Sequence, residues 1–82
     1  MTSLSELPPG QRGRVLSLQG DPALVQRLME LGVLEGEEVE VVALAPLGDP
    51  IEIRLGNSRL SLRRREAEGI EIHVLEDRQG NT

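Results

Sequence analysis

The sequence predicts a mainly β protein, a small antiparallel barrel of about five strands with one α-helix inserted after the first. Three observations predict it. Short segments with apolar residues at every second position recur at near-regular spacing, separated by glycine, proline and asparagine. A single segment, Leu24 to Leu31, carries the three- and four-residue period of a helix instead. The 82 residues include no Phe, Tyr or Trp, so one aliphatic core must serve the chain. Closure into a barrel is expected because open sheet edges invite pairing with other chains.

At the N-terminus Ser3 and Glu6 stand at the spacing of a capping box. Leu4 and Leu7 can fold that single helical turn onto the core before Pro8-Pro9-Gly10 stops it. Val15, Leu16 and Leu18 mark a first strand over 12–18, and their mixed alternation points to a bulge. Gly20-Asp21-Pro22 leads into the helix, with Asp21 as N-cap and Pro22 at the first helical position, where its missing N–H costs nothing. Leu24, Val25, Leu28, Met29 and Leu31 form an apolar stripe expected to face the core. Gly32 ends the helix in the left-handed region, with Val33 folding back on Leu28.

Val39, Val41, Ala43 and Ala45 then alternate with Glu38, Glu40, Val42 and Leu44, a long strand whose second half is expected to be covered on both faces. Ala45 to Pro50 is a turn-rich connector, since neither proline suits a central strand. Ile51, Ile53 and Leu55 form the next strand, and Gly56-Asn57 turns the chain into Ser58, Leu60 and Leu62. Arg63 to Ala67 reads as one short helical turn, and Ile70, Ile72 and Val74 as the last strand. The chain thus divides into one domain over 1–76 and a polar tail over 77–82.

Fourteen acidic residues outnumber nine basic ones, all Arg, for a net charge of -5. A negative field opposes generic nucleic-acid binding, and the missing aromatic residues remove base-stacking platforms. Without cysteine there is no disulfide, and a reducing cytoplasm is the default. The opening residues lack a secretory signal and no apolar run approaches the roughly 18 residues of a span, so any membrane is met through a partner. One histidine cannot supply a catalytic triad or, without cysteine, the several nitrogen or sulfur ligands of a transition-metal site. The glycines fit neither the phosphate-loop nor the dinucleotide fingerprint. No catalytic residue, cofactor or metal site is therefore assigned, and the chain reads as non-enzymatic.

Four surface features remain. His73, with Glu71 and Glu76 as its nearest carboxylates, is read as an exposed strand residue rather than an iron ligand. Glu35, Glu37, Glu38 and Glu40 are read as charges guarding a sheet edge. Arg63, Arg64 and Arg65 cannot all face one way on a short turn; they form either a solvated rim paired with Glu66 and Glu68 or part of a docking patch. The most informative stretch is Ala45, Pro46, Leu47, Gly48, Asp49 and Pro50, apolar where a merely solvated loop would be polar. Prolines stiffen it, which reduces the entropy lost on binding and suits a recognition element. The alternative is that Leu47 closes the barrel end.

The order and spacing of three stretches resemble the FeoA domain family: Leu4 to Gly10, Gln26 to Gly36, and Ala45 to Ile51, followed by Leu60 to Ala67 and Ile70. The resemblance runs from Leu4 to about Val74. It implies an SH3-like barrel with a helix after the first strand, and an accessory role in bacterial ferrous-iron uptake. By the same resemblance the partner would be the membrane transporter FeoB, approached from its cytoplasmic, GTPase-bearing side, with any GTP hydrolysis belonging to that partner. A second reading is a free-standing regulatory interaction domain like the C-terminal SH3-like domain of repressors related to the diphtheria-toxin repressor. Homo-oligomer formation is left open.

Overall fold

A computed structural model describes residues 2–75 of the chain. Its elements are β1 (Thr2–Ser3), a 3-10 turn (Leu4–Glu6), β2 (Arg12–Leu18), α1 (Pro22–Glu30), β3 (Glu38–Leu44), a second 3-10 turn (Pro46–Gly48), β4 (Ile51–Leu55), β5 (Ser58–Leu62), α2 (Arg64–Ala67) and β6 (Ile70–Val74). The strands form one antiparallel sheet in the order β1-β6-β2-β3-β4-β5. The five expected strands stand where the two-residue period puts them. A sixth, β1, pairs Thr2 with Ile72 and Ser3 with Glu71. Two residues are too few for any period to show, and the capping pattern at Ser3 hides them.

One aliphatic core fills the space inside the curved sheet. Val15, Val39, Val41, Ile53, Ile70 and Ile72 face it from the strands, and Leu4, Leu28 and Val33 enter it from the turns and helix. No buried side chain among the described residues is polar or charged, so no desolvation penalty offsets the apolar burial. Strand β2 bulges between Val15 and Ser17, which leaves Leu16 outside. A second bulge falls between Val41 and Ala43. The extra residue changes the strand's phase, so Ala43 and Leu44 are exposed and the expected double cover of the end of β3 is not found.

Among the described residues no ladder joins β1 to β5. The two ends of the sheet are tied through the N-terminal turn and α2, which follows β5. Ser3 Oγ donates to the carbonyl of Ala67 at 3.0 Å while accepting from the Ser5 N–H at 3.1 Å. The Ser3 N–H donates to Glu6 Oε1 at 2.9 Å, completing the capping box. The turn buries Leu4 and Leu7 as the sequence requires.

Helix α1 starts and stops as its residues dictate. Asp21 Oδ1 accepts from the Ala23 N–H at 3.1 Å, and Pro22 occupies the first turn. At the other end Gly32 has φ 101°, its N–H reaches Met29 O at 3.0 Å, and the Val33 N–H reaches Leu28 O at 2.9 Å, the paired bonds of a Schellman closure. The core-facing stripe is narrower than its period predicts. Leu28 is buried and Leu24 packs partly, whereas Met29 and Leu31 are 47% and 45% exposed. A nine-residue helix on a small barrel touches it along one line. Leu24 and Leu28 lie on that line; Met29 is turned about 100° from it.

Candidate functional site

The 45–50 loop joins two neighbouring strands, and its own backbone bonds set its shape. The Ala45 N–H donates to Pro50 O at 3.0 Å across the base, and the Gly48 N–H returns to Ala45 O at 2.8 Å. This tight reversal forces Leu47 to φ 71°, ψ 7°, a left-handed conformation that is unfavourable for a bulky side chain. Leu47 is 104% exposed, so its side chain covers none of the core. The reading in which Leu47 closes the barrel end is therefore not what the structure shows.

The structure brings together the two stretches that sequence reasoning named separately. Arg64 is half-buried between them. Its Nε donates to Gly48 O at 3.0 Å, and an Nη donates to the carbonyl of Ser5 in the N-terminal turn. Its backbone N–H donates to Asp49 Oδ1 at 3.0 Å. A Cβ on Gly48 would stand 3.3 Å from the Arg64 guanidinium, at a residue whose φ is already 81°. The turn favours glycine there, and an added Cβ would press on the arginine.

The three arginines thus have different work. Arg64 holds loop, turn and helix in register, while Arg63 and Arg65 are exposed, Arg65 on the groove between α1 and α2. The expected pairing of this run with Glu66 and Glu68 is not observed. The Glu66 carboxylate instead pairs with Arg27 and accepts the Arg63 backbone N–H at 2.8 Å, because it closes the first turn of α2. Sequence spacing offered no sign of the pair between Arg27 and Glu66. It spans the surface groove of about 580 Å³ between α1 and α2, which Asp21, Leu24 and Arg65 also line.

The other surface charges sort plainly. Arg12 and Arg14 meet Glu38 at 3.3 and 3.7 Å, Arg54 meets Glu40 at 3.2 Å, and Arg59 meets Glu52 at 3.2 Å. Glu38 and Glu40 belong to β3, which lies between β2 and β4. They are cross-strand ion pairs on the outer face and not guards of an edge. His73 is exposed opposite Arg14 in the register of β2 and β6, and Glu71 accepts from Ser17 Oγ at 2.9 Å. Glu76 and the 77–82 tail lie outside the described residues. No group of three or more His, Asp or Glu among the described residues is arranged to hold a metal ion, and no described helix is long and apolar enough to cross a membrane.

Comparison with known proteins fixes the family. The FeoA domain profile matches residues 2–74. Over 72 residues the chain is 35% identical to an Fe(2+) transport protein A/Fe(2+) transporter FeoB fusion protein of Porphyromonas gingivalis, covering 88% of this chain and 8% of that much longer protein. The solution structure of FeoA from Chlorobium tepidum is 47% identical, with a TM-score of 0.86 over 92% of this chain and 71% of that one. The zinc-complexed FeoA of Stenotrophomonas maltophilia, a procaryotic SH3 domain protein, is 38% identical, with a TM-score of 0.79 over 89% of this chain and 91% of that one. A manganese-dependent transcriptional repressor, 19% identical with a TM-score of 0.82 over 89% of this chain and 40% of its own, shares the fold alone. An SH3-like sheet with a helix after its first long strand, matched from Thr2 to Val74, makes this chain a member of the FeoA family of ferrous-iron transport accessory domains.

Proposed function

We propose that the chain is a non-enzymatic accessory of ferrous-iron uptake that docks on the cytoplasmic side of the transporter FeoB through the Ala45–Pro50 loop and the neighbouring arginines. The observation that carries this reading is Leu47, a leucine held wholly in solvent on a loop clamped from below by Arg64. An exposed apolar side chain on a fixed backbone loses little entropy when a partner covers it. The fusion of a related domain to FeoB in Porphyromonas gingivalis supports FeoB as that partner, since fused domains share one site of action. The domain would then sit peripherally at the inner membrane, held there by the transporter and not by its own insertion.

A pull-down with detergent-solubilised FeoB from the same organism, comparing wild type with Leu47→Asp, tests it. Capture of the wild type and loss of the folded variant is the expected result. Equal capture of both would remove the loop from the interface, and no capture of wild type would remove the partner.

A further inference from the structure

Strand β5 ends the sheet, pairing with β4 on one side only. Its residues run against β4 in unbroken register, from Leu55 opposite Ser58 at the Gly56-Asn57 turn to Ile51 opposite Leu62. A two-residue turn closes on a hydrogen-bonded pair, and along an antiparallel ladder such pairs alternate with non-bonded ones. Ser58, Leu60 and Leu62 therefore turn their backbone groups toward β4, and Arg59 and Ser61 turn theirs outward. Among the described residues no backbone group bonds the N–H or C=O of Arg59 or Ser61. The devices that blunt such an edge are missing. β5 has neither proline nor bulge, and its one charge, Arg59, reaches back over β4 to Glu52 at 3.2 Å.

We infer that this edge pairs with the β5 edge of a second copy of the chain, antiparallel about a two-fold axis through Leu60, so that one sheet runs across the dimer. The strand is complementary to itself in that register. An axis through Arg59 would set two arginines directly opposite each other, and an axis through Ser61 would set Arg59 opposite Arg63 of the second copy; opposed like charges are destabilising. Axes nearer the strand ends leave fewer bonds. With the axis at Leu60, Arg59 of each copy stands opposite Ser61 of the other, and every outward N–H and C=O of the two residues finds a partner. Leu60 is half-buried against the core and lies opposite Ile53. Its own copy meets it there as the closer, non-bonded kind of pair, which extends the apolar layer from Ile53 across the axis. A second copy is favoured over an unrelated peptide because the strand's own residues supply both the bonds and the matching pairs. The pairing does not depend on FeoB.

Amide hydrogen exchange of the full chain at low and high protein concentration, with sedimentation over the same range, tests it. As concentration rises, the Arg59 and Ser61 amides are expected to slow at least about tenfold. The Ser58, Leu60 and Leu62 amides, already bonded to β4, should change less, and the sedimenting mass should double and stop. Ser61→Pro removes one outward N–H at an edge position where proline is tolerated. Ser61→Arg, at an exposed position, sets like charges opposite each other across the axis and keeps the test decisive if the proline variant does not fold. Each folded variant is expected to weaken the dimer at least about tenfold. Adding Arg59→Glu to Ser61→Arg restores opposite charges in the Leu60-centred register and should recover dimer formation. A chain that stays monomeric with both amides open at every concentration would overturn the pairing. So would protection of those amides that ignores concentration, a dimer protected at another strand, open-ended growth, or a Ser61→Arg variant that dimerises like the wild type. Failure of the charge swap to recover the dimer would overturn the register.

Discussion

The guanidinium of Arg64 donates to the carbonyl of Gly48 at 3.0 Å, sixteen positions earlier in the chain. That bond, with the one to Ser5, joins the Leu47 loop to the N-terminal turn that tethers the sheet's ends. Replacing Arg64 with Met keeps the aliphatic stem but strands two carbonyls. Stability is expected to fall by about 1–3 kcal/mol in urea unfolding, the cost of losing charge-assisted bonds. Amide exchange at Gly48 and Asp49 should quicken beyond the global change. Arg64→Lys should recover only part of the loss, because an ammonium cannot present the two-directional fork.

Leu47 allows stability and recognition to be pulled apart. Its side chain is 104% exposed and its backbone lies at φ 71°, so the residue gives the fold no burial and strains it. Leu47→Gly should relieve a penalty of roughly 1 kcal/mol, of which greater freedom in the unfolded chain returns a part. The melting temperature is therefore expected to hold or rise while capture of the partner is lost. A clear drop in stability would mean that the leucine packs.

Gly69 is required by a close backbone approach. A Cβ there would stand 2.1 Å from the Gln19 carbonyl oxygen, beside a bond from the Gln19 N–H to Gly69 O at 2.8 Å. Neither backbone segment can yield without breaking that link between β2 and β6. Gly69→Ala is expected to destabilise by about 1–3 kcal/mol or more. Gly56→Ala is the contrast: its φ is 61° but nothing lies within 4 Å of the added Cβ, so only the left-handed penalty of roughly 1 kcal/mol should appear in the same unfolding measurement.

Local chemistry made most of the fold legible. Periods of two placed five strands, Asp21-Pro22 and Gly32-Val33 bounded the helix, and Gly56-Asn57 fixed the hairpin. The loop and the arginine run were both visible as surface features. What joins them was not, because Arg64 is one of three identical neighbours and only the tertiary path of the chain decides which of them turns inward. The pair of Arg27 with Glu66 was hidden for the same reason, lying across elements thirty-nine residues apart. The place of β3 inside the sheet was likewise needed to read Glu38 and Glu40 as cross-strand pairs.

The helix stripe gives the sharpest separation of sequence pattern from packing. By period alone Leu24, Val25, Leu28, Met29 and Leu31 are equivalent, yet Leu28 is 2% exposed and Met29 and Leu31 are nearly half exposed. Leu28→Ala should leave a cavity beneath the Schellman turn and cost about 2–5 kcal/mol in chemical unfolding. Met29→Ala and Leu31→Ala remove side chains that are nearly half in water, and each should cost less than about 1 kcal/mol. If all three truncations cost alike, the helix meets the barrel over a wider face than one line through Leu24 and Leu28. The exposed positions would then be core by another route, and the nine-residue helix would carry more of the stability than its single buried leucine allows.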